Sequence, residues 1–276
     1  MYDFKSAYLS KMQVEFTFLG TGTSQGVPVI GCTCEVCKSE DSKDQRLRSS
    51  LLVRTGSKTV IIDSGPDFRQ QCLREGLTAL DALVVTHEHK DHVAGLDDIR
   101  PFNFRSGNDL PIYATTRVQQ ALKNEFHYVF ARHPYPGVPR VHLETIAEDP
   151  FEIGGVTWWP LPVLHHELPV LGFRIGGLAY ITDANHITPL ALERLQGIDV
   201  LVLNALRKEA HISHFTLEEG VQLARSIGAR QTYFTHISHQ MGQHRDVNPL
   251  LPEGMELAFD GLSGCTFAEG LPMKSI

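Results

Sequence analysis

Short apolar runs, each closed by a polar or glycine-bearing stretch, recur along this chain. Val14 to Leu19, Leu51 to Val53, Thr59 to Asp63, Ala82 to Val85, Pro111 to Ala114, Val156 to Leu164, Leu178 to Thr182, Asp199 to Leu203 and Gln231 to Thr235 read as strands. Runs of this length bounded by turn residues suit buried extended chain. The second and third pair as a hairpin turning at Gly56. Helical spacing is confined to fewer places: Pro66 to Glu75 and Thr116 to Asn124 have helical character, and Val93 to Leu96 looks like a helix opening. Thr216-Leu217-Glu218-Glu219 fits a capping box ahead of an apolar face of Leu217, Val221, Ala224 and Ile227, which Gly228 ends. That face should pack on a sheet. Asp97 to Arg105 is mixed. Phe126 to Arg140 breaks the pattern with three prolines among its aromatics and reads as a loop or lid. Its Tyr128, Arg132, His133 and Tyr135 could meet a ring or phosphate, although aromatics more often pin such a loop to the core.

A chain of 276 residues with 42% hydrophobic content can bury one sizeable core, so a single domain over residues 13–276 is expected. Met1 to Lys11 is polar and aperiodic, and residues 1–12 read as an N-terminal extension or a start codon placed too early. The formal charge of -7 argues against a broad nucleic-acid surface, which needs clustered Lys and Arg. No apolar stretch reaches the roughly 18 residues of a membrane span, and no secretory leader pattern opens the chain, so a cytoplasmic location is expected.

The chemistry concentrates after Ala82 to Val85, in Thr86-His87-Glu88-His89-Lys90-Asp91-His92. Two histidines at i and i+2 leaving a strand can point at one cation, and Asp91 with His92 can reach a second. Imidazole with carboxylate suits zinc, manganese or iron. The bland alternative is a polar surface loop with incidental histidines. Cys32-Thr33-Cys34-Glu35-Val36-Cys37 holds three of the five cysteines, one ligand short of a tetrahedral zinc; a redox-active or merely buried cluster is the alternative. Cys72 and Cys265 stand singly among apolar neighbours and read as small core residues. Gly20-Thr21-Gly22-Thr23-Ser24-Gln25-Gly26 has the wrong spacing for a dinucleotide loop, and Val27-Pro28-Val29-Ile30 follows it instead of an amphipathic helix. A tight glycine loop beside the histidine site fits better. Asp63, closing its strand, is either a buttress for the histidine loop or a turn cap. Later strands end in His165-His166, Asp183 and His236, with His239 just beyond, and His211 and His214 precede the capped helix without a packing role.

His87-x-His89-x-Asp91-His92 resembles the signature of the metallo-beta-lactamase superfamily, whose members hold one or two metals at the edge of an αββα sandwich. The resemblance implies that four-layer α/β (α+β) fold here. It carries the third motif to His165 rather than His166, because His165-x-x-Leu168-Pro169 resembles relatives with one histidine at the first of these positions. The fourth falls on Asp183 and the last on His236. With the cysteine cluster and His236-x-x-His239 added, Val14 to Phe267 is similar to the PhnP-type phosphodiesterases. That likeness implies two divalent metals, zinc or manganese, about 3.5 to 4 Å apart. His87, His89, His165 and Asp183 would hold one and Asp91, His92, Asp183 and His236 the other, with Asp183 bridging. It also implies a structural zinc on Cys32, Cys34, Cys37 and His239. Asp91 and His214 are the candidate catalytic residues, His214 lying where the family's proposed acid or phosphate-binding group stands; His211 is its rival, and a helix cap is the bland role for His214.

The implied activity is hydrolysis of a small phosphodiester, cyclic ribosyl and nucleotide esters included, by a metal-held hydroxide. The implied partners are a small-molecule substrate, no nucleic acid, no membrane, and a second copy of the chain as a homodimer. Two other classes share parts of the pattern. A ribonuclease Z-like RNA-processing endonuclease would have the dinuclear ligands but needs a long protruding arm and lacks the three-cysteine site. A non-catalytic metal- or cofactor-handling relative would have lost ligands, and a full set argues against it.

Overall fold

The computed structural model describes residues 11–133 and 135–269. The expected extension therefore lies outside the described residues except for Lys11 and Met12, which already belong to the first strand. One sheet is built from β1 (Lys11–Gly20), β2 (Ser50–Thr55), β3 (Lys58–Ile62), β4 (Ala82–Val84), β5 (Leu110–Ala114) and β6 (Val141–Thr145). These lie side by side in chain order. The second contains β7 (Phe151–Ile153), β8 (Val156–His165), β9 (Leu168–Ile175), β10 (Leu178–Ile181), β11 (His186–Ile187), β12 (Val200–Asn204), β13 (Gln231–Thr235) and β14 (Met255–Leu257). Its order is β11-β8-β9-β10-β12-β13-β14, with β7 on β8. The chain then returns as β15 (Ser263–Glu269), antiparallel to β1 at the edge of the first sheet.

Three cores follow from which face each strand turns inward. Phe16, Phe18 and Val53 of the first sheet meet Trp158, Phe173, Tyr180 and Val202 of the second. The opposite face of the first sheet, with Leu52, Ile61, Leu83 and Ile112, is covered by α1 (Phe68–Arg74), α2 (Lys90–Val93), α3 (Arg100–Ser106) and α4 (Thr116–Glu125). Leu161, Ile181, Leu201 and Phe234 on the far side of the second pack beneath α5 (Pro189–Arg194) and α6 (Leu217–Ile227). A short α7 (His244–Val247) follows β13. The result is the four-layer αββα sandwich.

The capping box is formed as expected: Thr216 Oγ1 accepts from the Glu219 N–H at 3.2 Å, Glu219 Oε2 accepts from the Thr216 N–H at 2.8 Å, and Gly228 ends the helix at φ 76°. Several elements differ from expectation. The helix of the histidine loop opens at Lys90 with His89 at its cap and has ended before Leu96, because the motif itself makes the turn. The mixed segment contains α3, started by Pro101 in its first turn. β6, β7, β9, β11, β14 and β15 have no counterpart among the expected strands. Cys265 is exposed on the edge strand β15, so only Cys72 is a core residue.

The strand directions decide where chemistry can sit. β3, β4 and β5 run parallel, as do β10, β12 and β13, and β8 runs with them because β9 is antiparallel to both its neighbours. The carboxyl ends of β3, β4, β8, β10, β12 and β13 therefore open toward one edge of the sandwich.

Candidate active site and metal centres

At that edge β3 delivers Asp63, β4 the histidine loop, β8 His165, β10 Asp183 and β13 His236. Asp63, Asp183 and His236 have φ of 64°, 53° and 56°, and His166 has φ 57°, the non-glycine residues with positive φ among those described. A left-handed residue at a strand end ends the extended run abruptly, which is how three polar side chains leave apolar strands toward one point.

Asp91, His92, Asp183 and His236 are all buried, and their ligand atoms lie within 4.8 Å of one another. His92 Nε2 stands 3.1 Å from Asp91 Oδ2 and 3.2 Å from Asp183 Oδ2, and among the described residues it is a buried nitrogen without a hydrogen-bond partner. A ring nitrogen, two carboxylates and a second histidine, His236, 3.2 Å from Asp183 Oδ2, converge on a shared point instead of on each other. That is the donor set of a divalent cation, and the residues fit one. The other nitrogen of His92 is fixed: Nδ1 faces Asp63 Oδ2 at 2.7 Å. Asp63 also accepts from the Thr86 N–H and Oγ1, each at 2.8 Å, so it is the buttress and not a turn cap. This arrangement holds the ring orientation of a metal-binding histidine.

Beside this group, His87 Nε2 and His89 Nδ1 are 3.0 Å apart, and their ring centres lie 5.9 and 5.2 Å from that of His165. His165 Nδ1 donates to the Ser213 carbonyl at 2.9 Å, leaving Nε2 for the site. His166 is exposed in the turn between β8 and β9, with its N–H given to Asn185 Oδ1. Of the pair, only His165 faces the cluster. The ligand atoms of His165, Asp183 and His214 also fall within 4.8 Å of one another. His214 is buried, its ring 4.9 Å from His236 and 4.5 Å from His165. Its Nδ1 lies 4.0 Å from Asp183 Oδ1. Thr216 caps α6, so His214 does not. His211 sits one step further out, its ring 5.1 Å from that of His214.

Charge follows burial and neighbours. Burial would raise the Asp183 carboxyl, but His236, His92 and His87 around it hold its pKa well below the usual range. Burial likewise would lower His92, but Asp91, Asp183 and Asp63 hold it well above. Burial pushes His87 well down and His214 down to about 2, in the latter case with the help of His236 and against Asp183. His214 is therefore a neutral imidazole unless an anion is placed beside it.

The cysteine cluster closes at a distance in sequence. Sγ of Cys32, Cys34 and Cys37 lies 3.3, 3.4 and 3.5 Å from His239 Nδ1, and the four ligand atoms form one compact group. With Zn–S near 2.3 Å and Zn–N near 2.05 Å, a tetrahedral ion would set that edge at about 3.6 Å. The residues fit a closed zinc site. The Val29 and Cys37 N–H groups donate to Cys37 and Cys34 sulfur at 3.3 and 3.4 Å. Only Ile237 and Ser238 separate this group from His236, and the glycine loop lies against that connection: Thr23 N–H donates to the Ile237 carbonyl, and Thr23 Oγ1 is 3.2 Å from His236 Nε2.

Sequence reasoning missed the groups that hold the ligands. Ser49 Oγ and Thr182 Oγ1 stand 3.2 and 3.5 Å from His236 Nδ1, and Thr182 donates to Asp183 at 2.6 Å. Asn204, closing β12, clamps both backbone groups of Ala184 at 2.8 and 2.9 Å and so pins the turn that carries Asp183. A polar residue ending an otherwise apolar strand was the available signal for Asn204; single hydroxyls give none.

The beta-lactamase superfamily domain matches residues 58–237. A solved structure of a diphosphatase from the PhnP family shares 42% identity with this chain, covering 94% of it and 99% of that chain with a TM-score of 0.88. An octanoyltransferase of Porphyromonas gingivalis is 40% identical over 259 residues, 93% of this chain and 52% of that protein, so the chain spans about half that relative's length. A ribonuclease Z of Mycobacterium bovis is 30% identical over 217 residues, 71% of each chain. The fold, the converging histidines and carboxylates and these likenesses lead to one statement of kinship: the chain belongs to the beta-lactamase superfamily of metal-dependent hydrolases and is PhnP-like within it.

Proposed function

We propose that the chain is a metal-dependent phosphodiesterase acting on a small phosphodiester, as one domain over residues 13–276. The observation that carries this is the Nε2 of His92, unpartnered among the described residues, amid two carboxylates, beside a second group of His165 and His214 that shares Asp183. Asp91, His92, Asp183 and His236 would hold one divalent cation and His87, His89, His165 and Asp183 another, zinc or manganese. When bound, such a pair lowers the pKa of water and offsets charge on phosphoryl oxygens. Asp63 keeps the Nε2 of His92 aimed at the site, and Asn204 keeps Asp183 between the two groups. His214, neutral and buried, offers an N–H to a non-bridging phosphoryl oxygen. An anionic substrate would raise its pKa from about 2 and let it pass its proton to the departing alkoxide. Cys32, Cys34, Cys37 and His239 would hold a structural zinc with no open position.

The PhnP-family relative, a diphosphatase, brings diphosphate-linked esters into the substrate class, and the four-ligand cysteine cluster favours this branch over a ribonuclease Z. No observation in the site favours acyl transfer, the activity named for the relative twice as long. Turnover of a panel of cyclic, linear and diphosphate-linked phosphodiesters by the metal-reconstituted protein, with a precursor transfer RNA as comparison, tests the reading. Cleavage of the RNA alone would replace it with the endonuclease, and no turnover of any ester with metal bound would replace it with a non-catalytic relative.

A further inference from the structure

A row of imidazoles leads from the buried centre to the surface. His92 and His236 lie stacked with ring centres 5.9 Å apart, as do His236 and His214 with centres 4.9 Å apart, while His211 is tilted by 39° against His214 with centres 5.1 Å apart. The first three belong to the site already described. The last, half-buried His211, has been given no role.

Its protonation state is set by its hydrogen bonds. The Ser213 backbone N–H can only donate, and it meets His211 Nδ1 at 3.3 Å, with Ser213 Oγ at the same distance. Nδ1 is thus the acceptor and the ring proton sits on Nε2, which has no partner among the described residues. The loop that carries it is braced on both sides. Arg207 donates to the carbonyls of Glu209 and Ala210 at 3.2 and 2.9 Å and to Gln240 Oε1 at 2.7 Å, and Asn185 Nδ2 donates to the Ile212 carbonyl at 2.9 Å. Two neighbouring carbonyls are therefore spent, and the His211 N–H is left as a fixed donor. Burial, and after it the charge of Arg207, pushes the His211 pKa down, so the group stays a neutral donor.

We propose that His211 is a specificity-determining residue that hydrogen-bonds a second phosphoryl group, one position outward from the phosphoryl attacked beside His214, so that the preferred substrates are diphosphate esters. This rests on the phosphodiesterase reading of the same site. Hydrolysis adds water across the P–O–P bridge: a new P–O bond forms at the inner phosphorus, its bond to the bridging oxygen breaks, and the outer phosphate leaves with that oxygen and a proton. His211 touches the outer group in both substrate and product, so it contributes binding and not rate.

The test uses full-length, metal-loaded protein as wild type, His211→Ala and His211→Asn, the last keeping an N–H donor. A diadenosine diphosphate and bis(p-nitrophenyl) phosphate are the two substrates. His211→Ala should raise KM for the diphosphate by about 10- to 100-fold, the worth of a hydrogen bond to a charged group, with kcat and the monophosphate kinetics changed by less than about twofold. His211→Asn should recover part of the loss. Calorimetry with methylenediphosphonate and methylphosphonate separates the two layers of the argument. If neither ester is hydrolysed yet the preference for diphosphonate vanishes in His211→Ala, the activity reading falls and the anion site stands. If the monophosphate diester is turned over while the diphosphonate preference is absent or survives His211→Ala, the assignment of His211 is overturned and the activity stands. Equal losses on both substrates overturn it as well.

Discussion

The Asp63 carboxylate stands 2.7 Å from Nδ1 of His92, and both side chains are sealed from solvent. One carboxylate thereby decides which nitrogen of a metal-facing ring is free. Asp63→Asn is the discriminating change, because asparagine also tolerates the left-handed backbone found here at φ 64° and keeps one acceptor for Thr86. Its amide cannot substitute for a charged partner of His92. Metal affinity, read by competition with a chelator, should fall about 10- to 100-fold while the far-ultraviolet circular dichroism is unchanged. Unaltered affinity would remove the buttressing role.

The cysteine cluster makes a prediction in pH. In zinc-stripped protein the Cys37 N–H first, and then His239 and the other sulfurs, pull the Cys34 thiol down to about 6, whereas burial pushes Cys37 up to about 11 and Cys72 up to about 12. The thiolate is the reactive form and accumulates as pH rises through the pKa. Alkylation followed by peptide mass spectrometry should therefore show Cys34 modified with a midpoint near pH 6, and Cys37 and Cys72 silent at pH 8. Zinc should protect Cys34. Equal labelling of Cys34 and Cys37 at pH 7 would contradict the geometry.

A closed site stabilises and performs no chemistry. His239→Ala should remove one zinc equivalent and lower Tm by about 5 to 15 °C, since a lost structural metal costs several kcal/mol and each is worth about 2–4 °C at this size. Activity per folded molecule should change far less. The measurements are metal analysis and thermal denaturation with zinc in excess, and an unchanged Tm would rule out a structural role.

For His214 the leaving group discriminates between acid and positioning roles. If it passes a proton to the departing oxygen, His214→Ala should lose about 10² to 10⁴ in kcat on an alkyl ester and much less on a p-nitrophenyl ester, whose leaving group needs no proton. Equal losses on both, with metal content intact, would assign it to holding the phosphoryl oxygen. Its depression to about 2 by burial and His236 makes the acid role depend on the substrate's own negative charge. The alkyl-ester activity should therefore fall when a neutral phosphotriester replaces the diester.

Legibility in the sequence tracked how local each cause is. β4, β8, β10, β12 and β13 were readable because an apolar run ends in a polar residue that must be placed somewhere, and α6 because Thr216, Glu219 and Gly228 sit at the positions its ends require. β9 was hidden because Pro169 and Gly172 interrupt its apolar count; Gly172 is needed because a Cβ there would come within 2.6 Å of the Tyr180 carbonyl. β6 was hidden by its partly exposed face, where His142 and Glu144 interrupt the apolar count. Cys265 was misread because apolar neighbours in sequence alternate inward and outward on an edge strand. At the site, the spacing of His87 to His92 is local and visible. The closure of the cysteines by His239 is not local, and it is legible only because three thiolates leave a tetrahedral zinc one ligand short and His239 stands three positions beyond His236. The hydroxyls of Ser49, Thr86 and Thr182 carry no pattern at all, since any strand can end in one.

The left-handed backbone at Asp63, Asp183 and His236 has a consequence for how this protein can change. An L residue pays up to about 1–2 kcal/mol for that conformation, and glycine pays nothing. Glycine would relieve that cost at each position, yet it would empty a buried space and, at Asp63, orphan the donors of Thr86 and His92, so the strain is the smaller loss. Asp63, Asp183 and His236 are places where the polypeptide works against its own ease. The sheets behind them, with their apolar contacts, are the reserve that makes such awkwardness survivable.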